Sequence, residues 1–255
     1  MIPKIRLVFR AEAPKAGNSL DECEDQSGVS EERGIYALAD GASEASYSKT
    51  WAGILVREFC DVGGLVEGMN GFETWLDTCR NRWRVWERDL HSKQLPWFTQ
   101  EKLAQGSFST FLGVSFHASE SYAGQGIWKA IACGDSCLFV VQQNWLTLSF
   151  PCERSQDFSN APPLLSSLPY PVRDDLAMRQ GSVSPGDRVY LMTDALAHWF
   201  LQLYEKNEKP WQRLDELTTQ PDFDSFIGVC RSREGMRNDD VAFIRLLCDA
   251  SSTKQ

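Results

Sequence analysis

Aspartate residues recur at the ends of short apolar, β-compatible runs, and this placement most constrains how the chain of 255 residues can fold. Asp40 ends the run 35–39, and Asp194 ends the run 188–193. Four more stand just before or between such runs: Asp25, Asp135, Asp239 and Asp240. Any single one reads as a turn residue, because an Asp side chain hydrogen-bonds nearby backbone. Together they indicate carboxylates collected at strand edges, although spacing alone does not establish that they converge.

The remaining patterns predict one α+β domain over residues 1–255. Apolar residues at helical spacing predict long helices over 46–60 and 72–90, and another helix follows Asp194 through Leu203. Four β-rich runs separated by turn residues predict an antiparallel meander: 108–116, 128–133, 137–141 and 145–150. The segment 151–187 has five prolines in its first 21 residues and little periodicity, so we expect an irregular, flap-like excursion beside the sheet.

Five tryptophans lie between positions 51 and 97 and could be mistaken for a cofactor or ligand box. Their spacing favours buried helix faces instead. The eight cysteines are scattered singly, often inside apolar runs, which is typical of core residues rather than disulfides. No Cys-x-x-Cys pair occurs and the three histidines are isolated, so a zinc site of usual spacing is disfavoured and any metal would be bound by oxygen.

The charge balance argues against nucleic acid or anionic lipid as a partner. The formal net charge is −9, whereas such partners require clustered Lys and Arg. No run approaches the roughly 20 apolar residues of a membrane span, and residues 1–6 lack the features of a secretory segment. We therefore expect a cytoplasmic protein with neither a nucleic acid nor a membrane as partner.

Several carboxylates without matching cations repel one another, and divalent ions are the usual remedy. All-oxygen sites suit Mg2+ or Mn2+, and two such ions can activate a water for hydrolysis of a phosphate ester. No phosphate loop of the Gly-x-x-x-x-Gly-Lys-Ser/Thr type is present, which disfavours a nucleotide-driven enzyme. A Ser or Cys nucleophile paired with histidine is also disfavoured, because no histidine lies in a recognisable setting.

The ordered motifs of this sequence resemble the protein phosphatase 2C family over nearly the whole chain. They are Glu24-Asp25, Ala39-Asp40-Gly41, Gly106-Ser107-Phe108-Ser109-Thr110, Gly134-Asp135-Ser136, Thr193-Asp194-Ala195 and Asn238-Asp239-Asp240. The stretch 185–194 is particularly similar to the strand that carries the family's third core aspartate. The resemblance implies a four-layer α-β-β-α sandwich, with two antiparallel β-sheets flanked by helices and the metals in a cleft at one edge.

Carried over by position, the resemblance implies a site for two Mg2+ or Mn2+ ions, with a third, weaker one in some members. Asp40 would bridge the two ions, the Gly41 carbonyl would bind one of them, and Asp194 and Asp239 would bind the other. Glu24 or Asp25 would complete the shell through waters, and Asp135 would belong to the third ion. The catalytic residues would be Asp40, Asp194 and Asp239.

Three departures from the family pattern concern the substrate phosphate and the leaving group. Leu20 and Asp21 stand where members often have a phosphate-binding Arg, so Lys15 or Arg33 would have to reach the site. Ala42 replaces a histidine that is common in eukaryotic members and rarer in bacterial ones. Ala195 replaces a usual glycine but leaves the neighbouring ligand intact. The short loop between Asp25 and Asp40 favours a compact, bacterial-type member.

The expected function is therefore that of a metal-dependent serine/threonine protein phosphatase, a hydrolase in which metal-activated water attacks phosphorus. Its substrate would be a phosphorylated protein, and its counterpart would be a Ser/Thr kinase. The alternative is a catalytically inactive phosphatase-like module that binds a phosphoprotein partner, favoured by the missing Arg and by Ala195. A third interpretation, hydrolysis of a small phosphorylated metabolite, differs only in substrate.

Overall fold

The computed structural model describes residues 4–43, 45–62, 68–91, 96–118, 126–170 and 176–249. Six α-helices lie in these ranges: α1 (Ser48–Val62), α2 (Gly68–His91), α3 (Trp97–Ala104), α4 (Asp194–Glu205), α5 (Pro210–Asp215) and α6 (Gln220–Arg233). No helix among them is long and apolar enough to cross a membrane. The predicted helices over 46–60, 72–90 and 194–203 correspond to α1, α2 and α4, each within a few residues at its ends.

The strands form two five-stranded antiparallel sheets and a small ribbon. The first sheet has the order β1 (Lys4–Ala13), β12 (Val241–Asp249), β11 (Arg188–Met192), β7 (Cys137–Gln142) and β8 (Trp145–Phe150). The second has the order β10 (Leu176–Val183), β6 (Gly126–Cys133), β5 (Phe111–Ala118), β3 (Ile35–Ala39) and β2 (Gln26–Ser30). The ribbon pairs β4 (Phe108–Ser109) with β9 (Leu165–Ser166).

The two sheets pack face to face, with helices on both outer faces. Leu112 and Val114 of β5 share one buried cluster with Leu191 of β11 and Ile244 of β12. The first sheet packs its other face against α4, α5 and α6, through residues that include Trp199, Phe200, Trp211, Phe223 and Ile227. The second packs its other face against α1 and α2, through residues that include Trp51, Leu55, Phe59, Trp75 and Trp83. This confirms the predicted four-layer α-β-β-α sandwich.

Burial on both faces explains why the central strands read as continuous apolar runs. All five residues of β3 are buried, between the opposite sheet on one side and α1 on the other. The eight cysteines are likewise all buried and free of disulfides, as expected for core residues.

Two sequence-based expectations need correction. Trp51, Trp75 and Trp83 are buried on helix faces as predicted, but Trp97, at the start of α3, has 75% of its surface exposed. The segment 151–187 is not irregular throughout, because it supplies β10, which pairs with β6 over eight residues. Backbone pairing at a sheet edge holds this strand, since most of its side chains are not buried. Residues 171–175 of the segment lie outside the described ranges.

Close packing of α1 on the second sheet depends on a glycine in β5. A Cβ placed on Gly113 would lie 2.4 Å from Cζ of Phe59, whose ring packs edge-on against Phe111 with the centroids 5.2 Å apart. Gly228 on α6 is the contrasting case, because a Cβ there would meet nothing within 4 Å. The helix can therefore approach this sheet only while position 113 carries no side chain.

Gly113→Ala is expected to destabilise the protein by about 1–3 kcal/mol, because Phe59 must leave its rotamer or the helix must shift. Gly228→Ala is the matched control and should stabilise by roughly 0.5–1 kcal/mol, since alanine favours a helix interior over glycine. Chemical denaturation of both variants measures the two changes. Equal effects would contradict the packing argument.

Candidate metal centre

Five segments bring carboxylates to one edge of the sandwich, where strands end. Asp40 follows β3, and Asp135 lies between β6 and β7. Asp194 is the first residue of α4 and is separated from β11 by Thr193 alone. Asp25 precedes β2 and Asp239 precedes β12. The charge of Asp40 interacts with those of Asp135, Asp194 and Asp239, and Asp25 interacts with Asp40 and Asp194. The aspartates that are scattered along the sequence therefore converge in the fold.

Burial makes the charged form of these carboxylates costly. It is the first cause of the raised pKa of Asp25, ahead of repulsion from Asp40. Burial also raises the pKa of Asp40, and repulsion from Asp194 adds to it. The pKa of Asp135 rises to about 7, through burial and then repulsion from Asp194. For Asp194 burial again raises the pKa, while nearby Arg237 acts in the opposite direction.

The backbone around Asp40 and Gly41 is held from two sides. The Asp40 carbonyl accepts hydrogen bonds from the Thr110 amide at 2.9 Å and the Ser109 hydroxyl at 2.7 Å. A Cβ on Gly41 would lie 2.9 Å from the Ser48 backbone at the start of α1, so no larger residue fits there without movement. The Ser109-Thr110 motif and the glycine thus both fix the position of Asp40.

The pair Glu24-Asp25 divides between two environments. Asp25 is 1% exposed, and it is the member whose carboxylate lies among the other aspartates. The Glu24 carboxylate accepts a hydrogen bond from the Ser48 hydroxyl, and its backbone amide donates to Oδ2 of Asp240 at 2.7 Å. Glu24 also interacts with the charge of Lys15.

Asp240 and Asn238 have a structural role that sequence reasoning missed. Oδ1 of Asp240 accepts a hydrogen bond from the Lys15 amide at 2.7 Å, and Oδ2 accepts one from the Glu24 amide. Asn238 Oδ1 accepts from the Ala16 amide at 2.8 Å. These bonds fasten the segment 15–24 to the turn before β12. The only signal in the sequence was that a second acidic residue follows Asp239. That pattern is equally compatible with a metal ligand.

Three cations of the described ranges lie at or beside the cluster: Lys15, Arg237 and Arg231, whose Nη2 donates to the Asp239 carbonyl. Lys15 Nζ is 3.0 Å from Asp239 Oδ1 and donates to the Ser43 hydroxyl at 2.6 Å. Arg237, which sequence reasoning did not single out, has Nη2 at 3.0 Å from Asp194 Oδ2.

Lys15 and Arg33 are the two alternatives that the sequence leaves for a cation that reaches the site. Arg33 donates to the carbonyls of Cys60 and Asp61 at the end of α1. Lys15, in contrast, lies at the cluster.

The donor set fits Mg2+ or Mn2+. Both carboxylate oxygens of Asp25 and of Asp135, and Oδ1 of Asp194, are buried and meet no donor in hydrogen-bond geometry in the described part of the chain, although the Thr193 side chain lies near Asp25. Buried acceptors of this kind need a partner, and carboxylate oxygens are what these ions prefer. Within the same ranges no three Cys, His, Asp or Glu side chains stand together as a finished set of metal ligands. Asp194 and Asp239 are instead engaged by Arg237 and Lys15.

A family model described as Protein phosphatase 2C matches residues 18–239. A search of curated proteins finds no match. Among solved structures, PppA, a key regulatory component of T6SS in Pseudomonas aeruginosa, is 16% identical with a TM-score of 0.57, covering 98% of this chain and 99% of that one.

The Mycobacterium tuberculosis serine/threonine phosphatase PstP is 12% identical with a TM-score of 0.60, and the alignment covers 96% of this chain and 99% of that one. The catalytic domain of PstP in complex with two manganese ions gives the same identity and score, with coverage of 95% and 97%. At these identities the structures show a shared fold.

The raised pKa of Asp135 predicts how metal-free protein responds to pH. Between its ordinary value of 3.8 and about 7, the folded state keeps a proton that the unfolded chain has released. The free energy of unfolding of the wild type therefore falls with rising pH in this window, relative to that of Asp135→Asn. The slope of this difference is up to about 1.4 kcal/mol per pH unit, and the total change is on the order of 1–4 kcal/mol. Denaturation of chelator-treated protein at several pH values measures the difference.

Asp21→Asn is the control for that experiment, because it removes the same charge from an exposed side chain. Its stability difference from wild type should change little over the same window. A difference between wild type and Asp135→Asn that stays constant with pH would contradict the burial argument.

Proposed function

Because the chain belongs to the protein phosphatase 2C family, we propose that it hydrolyses phosphoserine and phosphothreonine in proteins with the help of Mg2+ or Mn2+ ions. The observation that carries the proposal is the group of buried carboxylates whose oxygens lack hydrogen-bond partners in the described ranges: Asp25, Asp135 and Asp194. A fold that buries acidic groups without partners is under strain that divalent cations relieve.

In this proposal the ligands are those that the family pattern assigns. Asp40 would be shared by two ions, the Gly41 carbonyl would bind one, and Asp194 and Asp239 would bind the other. Asp25 would bind water ligands of the ions. Glu24 is less suited to this role, because its carboxylate accepts a hydrogen bond from the Ser48 hydroxyl. Asp135 would serve a third, weaker site. When bound, the ions supply a water of lowered pKa as nucleophile and neutralise charge on the phosphoryl oxygens.

The chain's own residues shape the rest of the reaction. Ser109 and Thr110 hold the backbone of Asp40, so its carboxylate keeps its place while the other ligands adjust. Lys15 lies at the cluster and contributes positive charge at the substrate side. Ala42 has no proton to donate, so the leaving alkoxide would take its proton from water.

The proposed substrate is a phosphorylated protein, with a Ser/Thr kinase as the opposing enzyme. PstP, the similar protein from Mycobacterium tuberculosis, is a serine/threonine phosphatase, which supports this class of substrate. The eight cysteines form no disulfide, which fits a reducing compartment, and we propose the cytoplasm. Parallel assays of phosphopeptides and small phosphate esters would separate this substrate from a phosphorylated metabolite.

The second candidate is an inactive phosphatase-like module that binds a phosphoprotein. The ion pairs of Arg237 with Asp194 and of Lys15 with Asp239 favour it, because cations already engage two of the proposed ligands. Calorimetry with Mn2+ separates the candidates. Two sites of micromolar affinity support the enzyme, and no detectable binding supports the module.

Asp40→Ala and Asp194→Ala should each lower Mn2+-dependent hydrolysis of a phosphothreonine peptide by more than about 100-fold, since even loss of a residue that only supports a ligand costs 10–100-fold. The thermal melting of both metal-free variants should stay close to wild type or rise, because each change removes a carboxylate whose charge is costly to bury.

Asp224→Ala, on the exposed side of α6, is the control and should leave hydrolysis unchanged. Full activity in both cluster variants would refute the proposed site.

A further inference from the structure

Arg237 lies at the acidic cluster with one edge of its guanidinium unused. Its Nε and Nη2 atoms are buried, and neither makes a hydrogen bond within the part of the chain that the structure describes. Nη2 is 3.0 Å from Asp194 Oδ2, but this contact lacks hydrogen-bond geometry. Nε and Nη2 form the side edge of the guanidinium, whose two parallel N–H groups match two oxygens of a phosphate.

The loop that carries Arg237 is anchored on both sides. Met236 is buried, and its amide donates to the Cys230 carbonyl in α6 at 3.2 Å. On the other side, Asn238 and Asp240 accept backbone amides of the segment 15–24. The backbone on both sides of Arg237 is therefore fixed, which holds its buried Nε and Nη2 beside the acidic cluster without a hydrogen-bond acceptor in the described ranges.

Two other cations lie near the cluster, and both are engaged. Arg231 donates through Nη1 and Nη2 to the carbonyls of Pro14 and Asp239. Lys15 Nζ donates to the Ser43 hydroxyl and pairs with Asp239, so two of its three donors are committed to this chain.

Within the described ranges Arg237 contacts Asp194 through Nη2. Its charge also acts on Asp135 and His198. A buried donor without an acceptor lowers stability, and an incoming anion that accepts its hydrogen bond would recover this loss.

We propose that Arg237 binds the phosphoryl group of the substrate through Nε and Nη2, and so replaces the arginine that is missing near Leu20 and Asp21. This rests on the proposed phosphatase function and adds the residue that recognises its substrate. The ligand class is a phosphate monoester dianion, and the product orthophosphate occupies the same place. The binding group thus comes from the turn before β12 rather than from the segment before the first acidic motif.

The test compares wild type with Arg237→Gln, Arg237→Lys, Lys15→Gln and Arg233→Gln. Arg233→Gln is the matched control, because it makes the same change on the exposed last turn of α6. Calorimetry measures Mn2+ binding and then orthophosphate binding to the Mn2+-loaded proteins. Steady-state assays with a phosphothreonine peptide give KM and kcat.

Arg237→Gln should weaken orthophosphate binding and raise KM by about 10- to 100-fold, the value of one charge-assisted bidentate contact. Arg237→Lys should recover only part of this loss, since an ammonium keeps the charge but lacks the paired donors. Mn2+ binding should not weaken in either variant, and Arg233→Gln should match wild type throughout.

Three results would overturn the assignment. Tighter Mn2+ binding by Arg237→Gln with unchanged orthophosphate affinity would make the arginine only a counter-ion for Asp194. Loss of orthophosphate binding in Lys15→Gln but not in Arg237→Gln would assign the phosphate to Lys15. If the wild type binds Mn2+ but no orthophosphate, Arg237 does not bind the phosphoryl group. If the wild type binds no Mn2+, the proposed function itself is refuted.

Discussion

The structure depends on burying acidic side chains that repel one another. Asp25, Asp40, Asp135 and Asp194 all have a raised pKa, and in each case burial is the first cause. A fold can accept this cost only if the surrounding backbone is rigid enough to keep the carboxylates from turning toward water. Here that rigidity comes from strands that end at the acidic edge. It also comes from the hydrogen bonds that hold the backbone of Asp40 and the segment 15–24.

Much of this could be predicted from the sequence, because the strongest signals were local. Asp40 and Asp194 each follow a strand buried on both faces, so an apolar run that stops at an aspartate marks the strand end directly. The helices α1 and α2 follow from regular spacing of large apolar residues. The four-layer arrangement itself came from the family resemblance, because periodicity shows that a strand is buried but not which sheet covers it.

What could not be predicted depends on contacts between distant parts of the chain. Strand β10 has few buried side chains, and its pairing with β6 leaves no apolar pattern in the sequence. Asp240 and Asp239 are neighbours of the same type, yet one accepts backbone amides while the other pairs with Lys15. Arg237 was missed because nothing about an isolated arginine indicates that it will meet Asp194.

The pairing of β1 with β12 has a consequence for how this protein comes into being on the ribosome. Ala13 pairs with Val241, more than two hundred residues later, and Asp239 lies just before that strand. At about 5–20 residues per second, the first strand waits roughly 10–45 s for its partner during synthesis. Most of the aspartates are made well before the strand that closes the first sheet. A nascent or truncated chain therefore carries the acidic groups without the architecture that gathers them.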